Sequence, residues 1–243
     1  MGFIGKFASA VLPQGVTYAL RVVRDMSGVV PRECNLCGFT GMFVAFGDPP
    51  RWDAECPKCK AKERHRLLGL WMAGNLDVAR GKHVLHFAPE PSVRRLLELR
   101  ASKYVSADIE PKGDSIGLDI EKIDLQSESF DVVVCSHILE HVEHKQALRE
   151  IWRVLKPRGL AILMFPIVEG WDESYCDPSI TAPAGRRLHF GQWDHVRYFG
   201  SSVRNDIRWA GFDLAEFTAV EPSVSRYGLL RGEKVFLATK QQG

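Results

Sequence analysis

Two pairs of cysteines constrain the fold of this chain more than any other feature. Cys34 and Cys37 form one Cys-x-x-Cys pair, Cys56 and Cys59 form a second, and 18 residues separate the two pairs. Each pair can supply two thiolates from one tight turn, and four thiolates suit the tetrahedral coordination that zinc prefers. The spacing therefore predicts a zinc ribbon over residues 31–66. Because all four ligands come from the protein, we expect the Zn²⁺ to be structural rather than catalytic.

Composition and charge exclude several classes of protein. Paired cysteines in a chain of this size indicate metal binding in a reducing compartment, so we expect a cytoplasmic location and no disulfide scaffold. No apolar run reaches the 18 or so residues that a membrane span needs. The formal net charge of +2 gives no general argument for a nucleic-acid or membrane partner. A basic run over residues 58–66 remains open to two interpretations, a solvated helix start or a contact with phosphate.

The segment before the cysteines forms a region of its own. Ile4, Phe7, Ala8 and Val11 recur at helical spacing, which predicts a short amphipathic helix within residues 1–30. Packing of this helix on the protein is the plainest interpretation. A lid over an active site and a membrane-surface anchor are the alternatives.

Residues 67–243 alternate between strand-like and helix-like segments, which is typical of a parallel sheet covered by helices on both faces. Pro91 favours the first turn of a helix after the first strand, and Gly211 ends a later one. The final two strands are expected to pair as a hairpin around residues 222–232. The predicted strands cover residues 83–88, 104–107, 115–118, 130–135, 160–165, 213–220 and 233–239.

Acidic and polar residues follow the predicted strands, where doubly wound sheets bind their ligands. Asp108 follows the second strand, and its carboxylate can accept both hydroxyls of a ribose. Asp119 follows the third, where a carboxylate can hold an adenine amino group. The complete set of candidate cofactor contacts is Phe87, Ala88, Glu90, Asp108, Ile109, Asp119, Ile120 and Ser136.

The order of these features resembles the class I methyltransferases that use S-adenosylmethionine (SAM). Strand, Asp108, strand, Asp119-Ile120, then the stretch FDVVVCSHILEHV and a helix ending in LKPRG follow that family's pattern over about 160 residues. The resemblance implies a seven-stranded Rossmann-like sheet, SAM as cofactor and methyl transfer as activity.

One loop departs from the family's glycine-rich pattern, since residues 86–91 read HFAPEP. Two prolines there remove N–H donors, which argues against a bound pyrophosphate and disfavours SAM less. Glu90 is then expected to face the methionyl ammonium, or to be only a first-turn residue favoured by the helix dipole.

A narrower resemblance covers most of the chain. Bacterial methyltransferases of unassigned substrate that carry a Cys-x-x-Cys module have stretches like ERHRLL at 63–68, VLHFAPE at 84–90 and FGQWDHVR at 190–197. This likeness carries no substrate with it.

Histidines supply the candidate catalytic groups. His137 follows the fourth strand and is expected to act as a base or to contact the substrate. His141 is expected to share a helix face with His137 and to have a structural role. The long stretch 167–200 is expected to form the acceptor pocket, with His195 as a second catalytic candidate and the neighbouring Asp194 orienting it. A loop that only packs on the sheet is the alternative. The predicted substrate contacts are His189, Asp194 and Arg197.

A small-molecule or saccharide-type acceptor is the favoured substrate. The place after the fourth strand reads Cys135-Ser136-His137 rather than the Asn/Asp-Pro-Pro-Tyr of exocyclic-amine methylases, and no Pro-Cys nucleophile of cytosine C5 methylases occurs there. An RNA or other nucleic-acid methyltransferase that binds substrate through its ribbon is one alternative. A protein substrate, or a SAM-binding protein without transfer activity, are the others.

Overall fold

A computed structural model describes Val16, residues 30–47 and residues 49–242. Within the region 1–30, where a short helix is expected, only Val16 and Val30 are described. The four residues whose spacing predicts the helix lie outside the described residues. The chain divides into two compact units. The first contains, of the described residues, those up to Arg66 together with Val220–Leu230, and the second contains Leu67–Ala219 and the segment from Arg231 onward. The segment 220–230, assigned from sequence to the catalytic region, therefore belongs to the unit that carries the cysteines.

The first unit is built from short hairpins around the cysteines. Strand β1 (Arg32–Glu33) pairs antiparallel with β2 (Thr40–Gly41), and β3 (Val44–Phe46) pairs antiparallel with β4 (Arg51–Glu55). A small core packs Phe43 and Ala61 against the buried cysteines Cys34 and Cys56. Helix α1 (Glu63–Ala73) begins at the end of the first segment of this unit.

Arg66 ties the two segments of the first unit together. Its side chain is fully buried and lies over the Phe43 ring, 4.6 Å from the ring centroid. The guanidinium donates to backbone carbonyls of Ala54, Ala61, Tyr227 and Gly228 at 2.6–3.1 Å. Burial lowers the pKa of Arg66. A buried guanidinium that donates its hydrogen bonds to internal carbonyls is not available to bind phosphate. The phosphate interpretation therefore fails for Arg66, the last residue of the basic run.

The second unit contains a sheet of seven strands: β5 (His83–Phe87), β6 (Lys103–Asp108), β7 (Ile116–Gly117), β8 (Phe130–Ser136), β9 (Leu155–Met164), β12 (Phe212–Thr218) and β13 (Lys234–Lys240). Their order in the sheet is β12-β13-β9-β8-β5-β6-β7. Strands β5 to β9 run parallel, and β13 lies antiparallel between β9 and β12. The expected seven-stranded α/β sheet and its terminal hairpin are confirmed.

Helices and one pair of short antiparallel strands complete the described chain. The stretch 167–200, which has no clear period in the sequence, contains one helix and two short strands that pair antiparallel. These elements are α2 (Pro91–Glu98), α3 (His144–Val154), β10 (Tyr175–Cys176), α4 (Pro183–Phe190), β11 (Arg197–Tyr198), α5 (Val203–Trp209) and α6 (Ser223–Tyr227), with a single 3₁₀ turn at Leu76–Val78.

Two expectations about the segment around α3 are wrong. His137 and His141 do not share a helix face, because residues 137–143 form turns and α3 begins only at His144. Leu155 already pairs with Phe130, so residues 155–159 extend β9 instead of only separating the helix from the strand.

Core packing fixes where the polar residues emerge from the sheet. The central strands are almost entirely buried, with Leu85, Val133, Cys135 and Leu163 at 0% exposure. Such strands read as continuous apolar runs because helices cover both faces. Around these central strands, the described side chains that are available for chemistry lie at and beyond the strand ends. No helix among the described residues is long and apolar enough to span a membrane.

Candidate active site and cysteine cluster

Three central strands end at one edge of the sheet. Phe87 in β5 pairs with Ala107 in β6 and with Cys135 in β8, so these strands finish at the same level. Ala88, Asp108 and Ser136 are the next residues along each strand, and they lie together at the carboxyl edge. This is the position at which open α/β sheets bind ligands.

Strained backbone marks the same edge. Ala88 has φ 43° and His137 has φ 56°, which is the left-handed region that side chains with a Cβ rarely occupy. Each costs about 1–2 kcal/mol relative to ordinary backbone. Both directly follow a central strand, and the hydrogen bonds Ala88 N to Ala107 O at 2.8 Å and His137 N to Met164 O at 2.7 Å hold them there. Strain of this kind collects at functional sites, where surrounding structure maintains it.

The two predicted nucleoside carboxylates adopt the same local turn. One oxygen of Asp108 accepts the backbone N–H of Glu110 at 3.0 Å, and one oxygen of Asp119 accepts that of Glu121 at 2.8 Å. Each carboxylate is therefore fixed by the residue two positions on, which orients its second oxygen.

The neighbours of these carboxylates differ in exposure. Ile109 is 70% exposed beside Asp108, so an apolar side chain is held in solvent at the predicted nucleoside position. Ile120 is only 5% exposed and packs in the core, so its predicted contact with the cofactor can come only through its backbone. Phe87 and Ser136 are also buried, whereas Ala88 is half-buried.

The first loop is organised by a buried histidine. His86 has no exposed surface, and its Nδ1 lies 2.8 Å from the Tyr104 hydroxyl. Its Nε2 lies 3.9 Å from Glu90 Oε2, so the Glu90 carboxylate turns towards the end of β5. Burial raises the pKa of Tyr104, which keeps its hydroxyl protonated.

His137 lies between two carboxylates. Its Nδ1 is 3.1 Å from Glu140 Oε1, and its Nε2 is 4.0 Å from Glu233 Oε1. Glu140 is 1% exposed. Burial raises the pKa of Glu140, but the hydrogen bond from His137 and the proximity of the His137 and His141 rings outweigh it, and the resulting pKa is below its usual range. An ionised Glu140 accepts a hydrogen bond from the Nδ1–H of His137, which leaves Nε2 as the basic nitrogen of this histidine.

His141 and His195 pack edge to face beside Glu140, with ring centroids 4.7 Å apart. His141 Nδ1 lies 3.4 Å from Asp194 Oδ2, and His195 Nδ1 lies 3.1 Å from the Phe190 carbonyl. The predicted pairing of Asp194 with His195 is therefore replaced by a pairing of Asp194 with His141. His195 is 4% exposed, and burial lowers its pKa.

Arg197 is buried rather than open to a substrate. Its guanidinium donates to His144 Nδ1 and lies 3.5 Å from Glu143 Oε2. His144 Nε2 in turn donates to Asp206 Oδ2 at 2.9 Å. Arg197 is only 6% exposed, so its predicted role in substrate binding has no exposed group to act through. Its Nε has no hydrogen-bond partner among the described residues.

An aromatic cluster lies on the expected acceptor segment. Trp171 packs edge to face on Tyr175 and Tyr198, at 6.5 and 6.1 Å between ring centroids, and is 43% exposed. His189 is exposed and its Nδ1 lies 2.7 Å from the Tyr175 hydroxyl. Of the three predicted substrate contacts, His189 alone is solvent-exposed, while Asp194 is half-buried.

The four paired cysteines converge in the first unit. The sulfur atoms of Cys34 and Cys59 are 3.6 Å apart, those of Cys37 and Cys56 are 3.7 Å apart, and all four lie within 4.8 Å of one another. Four sulfurs about 2.3 Å from one tetrahedral ion lie about 3.8 Å apart, so the cluster fits zinc. None of the four is in a disulfide.

The two cysteine turns have matching backbone. Gly38 at φ 71° and Lys60 at φ 62° each follow the second cysteine of a pair, and their N–H groups donate to the carbonyl of the first cysteine at 2.8 and 2.9 Å. Identical turns present the two sulfur pairs symmetrically. A small four-cysteine ribbon of the kind predicted is thus part of the fold.

Sequence reasoning missed two carboxylates and one buried network. Glu140 follows His137 by three residues, and the assumption of a helix obscured the turn that joins them. Glu233 approaches His137 from the far end of the chain and leaves no local signal. The contacts of His144 with Asp206 and Arg197 also join distant segments, so no spacing could have indicated them.

Comparisons with known proteins indicate a methyltransferase fold. Residues 73–163, rather more than a third of the chain, match the family described as a methyltransferase domain. No curated protein matches the chain.

Solved structures share this fold at low identity. A chain from the complex between the Haloferax volcanii Trm112 methyltransferase activator and a methyltransferase is 15% identical with a TM-score of 0.54, covering 74% of this chain and 91% of that one. A Mesorhizobium loti SAM-dependent methyltransferase is 16% identical with a TM-score of 0.50, covering 72% and 98%. Burkholderia thailandensis 1,6-didemethyltoxoflavin-N1-methyltransferase, solved with S-adenosylhomocysteine, is 15% identical with a TM-score of 0.50, covering 72% and 77%. At such identities the likeness is one of fold.

Proposed function

We propose that this protein is a SAM-dependent methyltransferase that acts on a small-molecule or saccharide-type acceptor. The observation that carries the proposal is the shared edge of β5, β6 and β8, where Ala88, Asp108 and His137 lie next to each other on strained or locally fixed backbone. When bound there, SAM supplies an electrophilic methyl group.

The residues at this edge fit SAM better than a dinucleotide. Asp108 would hold the ribose hydroxyls, and the exposed Ile109 would cover one face of the adenine. Asp119 would accept the adenine amino group. Pro89 and Pro91 leave the first loop with too few N–H donors for a pyrophosphate. Glu90, turned towards the end of β5, would face the methionyl ammonium.

His137 is the proposed catalytic base. Glu140 holds Nδ1 protonated, so Nε2 can accept the proton of an acceptor hydroxyl or amine as the methyl group is transferred. The left-handed backbone of His137 places its side chain immediately beyond β8. Methyl transfer requires an in-line approach of the two reactants, and a histidine fixed at both its backbone and its Nδ1 provides such positioning.

A small acceptor is favoured because the described residues lack groups that a nucleic-acid methyltransferase would use. Cys135 lies fully buried within β8, and burial raises the pKa of its thiol well above the usual range, so it is unsuited to be a nucleophile towards cytosine. Arg66 is committed to internal carbonyls. The partly exposed Trp171 and the rings of Tyr175 and Tyr198 offer the aromatic surface with polar edges that saccharides and small heterocycles use.

A labelled-methyl assay tests the proposal. Incubation of the protein with methyl-labelled SAM and a panel of hydroxylated and amine-bearing small molecules should transfer label to at least one class. His137→Gln should then lower kcat by roughly 10²-fold or more, while SAM affinity stays unchanged. His83→Gln, at the opposite end of β5, is the matched control. Transfer to RNA in preference to every small molecule would refute the substrate class.

A further inference from the structure

A second cluster of metal-binding groups lies outside the cysteine ribbon. One ligand atom from each of Glu140, His141 and His195 lies within 4.8 Å of the others. Glu140 and His195 are buried and His141 is half-buried. Two histidines and one carboxylate form a ligand set used by catalytic zinc sites and by mononuclear iron sites.

The hydrogen bonds of the two histidines leave the same nitrogen available on each ring. His141 Nδ1 contacts Asp194, with the Oδ2 atom at 3.4 Å and the backbone carbonyl at 3.3 Å. His195 Nδ1 lies 3.1 Å from the Phe190 carbonyl. Both acceptors are oxygens, so Nδ1 carries the proton in each ring and Nε2 carries the lone pair. A ring N–H fixed on a carboxylate or a carbonyl is the usual support of a metal-bound histidine.

Glu140 completes the set with an oxygen that lacks a partner. Its Oε1 contacts His137, while Oε2 is buried and has no hydrogen-bond partner among the described residues. Asp194 Oδ1 is in the same condition. A buried carboxylate oxygen without a hydrogen bond is unfavourable unless a cation neutralises it.

We propose that Glu140, His141 and His195 bind a divalent transition-metal ion of the zinc type through one carboxylate oxygen and two Nε2 atoms. Ligand atoms about 2.0–2.1 Å from such an ion lie about 3.3 Å apart, so small side-chain rotations complete the set. Asp194, the Phe190 carbonyl and His137 form the outer contacts that hold the ligands. Three protein ligands leave a fourth position for a water or another oxygen, unlike the closed cysteine site.

The cluster is built by two separate segments, and a backbone bond joins them. Val196 N donates to the Glu140 carbonyl at 3.0 Å, which holds the turn after β8 against the segment before β11. Because this bond does not need the metal, the ligands are already assembled without it. The site does not depend on methyl transfer and can be tested by metal binding alone.

Zinc titration of the full-length chain, with the metal content measured after removal of free ions, tests the proposal. The wild-type protein should bind two zinc ions. Glu140→Gln and His195→Gln should each weaken one of the two by at least ten-fold and leave the other in place. His83→Gln is the matched histidine control and should still bind two. A wild-type chain that binds one zinc, or variants that retain both, would overturn the proposal.

Cobalt distinguishes the two sites by their spectra. Cobalt in a four-thiolate site shows intense sulfur charge-transfer absorption, whereas cobalt bound by nitrogen and oxygen shows only weaker visible bands. The wild-type spectrum should contain both sets, and Glu140→Gln, which preserves the shape of the side chain, should lose only the second. Loss of the sulfur bands in that variant, with the nitrogen and oxygen bands retained, would contradict the assignment.

Discussion

The cysteine cluster and the cluster at the sheet edge are both groups of reactive side chains, but they are assembled differently. Cys34 and Cys37 come from one turn, Cys56 and Cys59 come from a second, and each turn is closed by its own backbone hydrogen bonds. At the sheet edge, His137 contacts Glu140 and also approaches Glu233, which lies almost a hundred residues further along the chain. A site made from local turns can be derived from spacing, whereas a site made by tertiary packing cannot.

Of the substitutions that test this comparison, removal of one cysteine should have the largest effect on stability. Cys56→Ser takes away one of the four thiolates that are predicted to bind zinc, whose apparent binding free energy in small zinc modules is about 10–16 kcal/mol. We expect loss of zinc from the cysteine site and unfolding of the first unit. Elemental analysis and protease resistance of the ribbon measure both effects. Cys176→Ser, at an exposed cysteine outside the pairs, should change neither. An intact, protease-resistant ribbon in Cys56→Ser would show that zinc is not its main support.

Arg66→Met should produce the next largest effect and separates the contribution of the metal from that of packing. The substitution leaves several buried carbonyls without a donor, at about 1–3 kcal/mol each where water cannot replace it, so we expect a loss of at least about 3 kcal/mol in unfolding free energy. Chemical denaturation measures it. Lys58→Met, at an exposed lysine of the same basic run, should change stability by less than about 0.5 kcal/mol. Equal stability of the two variants would contradict the role given to Arg66.

Asp108→Ala tests the sheet edge. Loss of a charged hydrogen bond to the ribose costs about 1.5–3 kcal/mol, which corresponds to a ten-fold or greater fall in SAM affinity. Titration calorimetry measures it, with Asp124→Ala as an exposed control in the same part of the chain. If both variants bind SAM as the wild type does, Asp108 is not a cofactor contact.

The smallest effect is expected from the pH dependence of stability around His144. Burial lowers the pKa of His144, the positive charge of Arg197 adds to this, and the contacts with Asp206 and Glu143 oppose it, with a net pKa below 6.5. Lys145 also faces the site through its ion pair with Asp206. The unfolded chain therefore takes up a proton before the folded chain does, so stability falls as the pH drops from 7 through 6.5 and below.

His144→Gln should reduce that slope by up to one proton. Thermal unfolding between pH 7.5 and 5.5 measures it, with His83→Gln as the control. A steeper slope in His144→Gln than in the wild type would mean that His144 is stabilised in its charged form.

Much of the fold follows from the sequence, and the reason lies in particular residues. The buried runs of β5 and β8 are continuous because both faces of the sheet are covered. Ser136 marks the end of β8, and Asp108 marks the end of the neighbouring strand β6. Turns were harder to predict from the sequence than strands. The stretch 137–143 has helical spacing in its histidines and is nevertheless a turn, since the left-handed backbone of His137 interrupts any helix there.

The chemical partners within the site depended on tertiary contacts. Asp194 precedes His195 in sequence, but packing directs its carboxylate to His141. Arg197 looks like a substrate ligand in sequence, but it is buried against His144. Residue type identified the groups that take part in the site, and only the three-dimensional arrangement assigned their partners.

Titration of the wild-type protein with SAM is the most direct test of the central claim, that the shared edge of β5, β6 and β8 is a SAM site. We expect one SAM to bind per chain, S-adenosylhomocysteine to compete for the same site, and a nicotinamide dinucleotide to bind far more weakly because the first loop lacks donors for its pyrophosphate. Tight binding of the dinucleotide together with no binding of SAM would contradict the account.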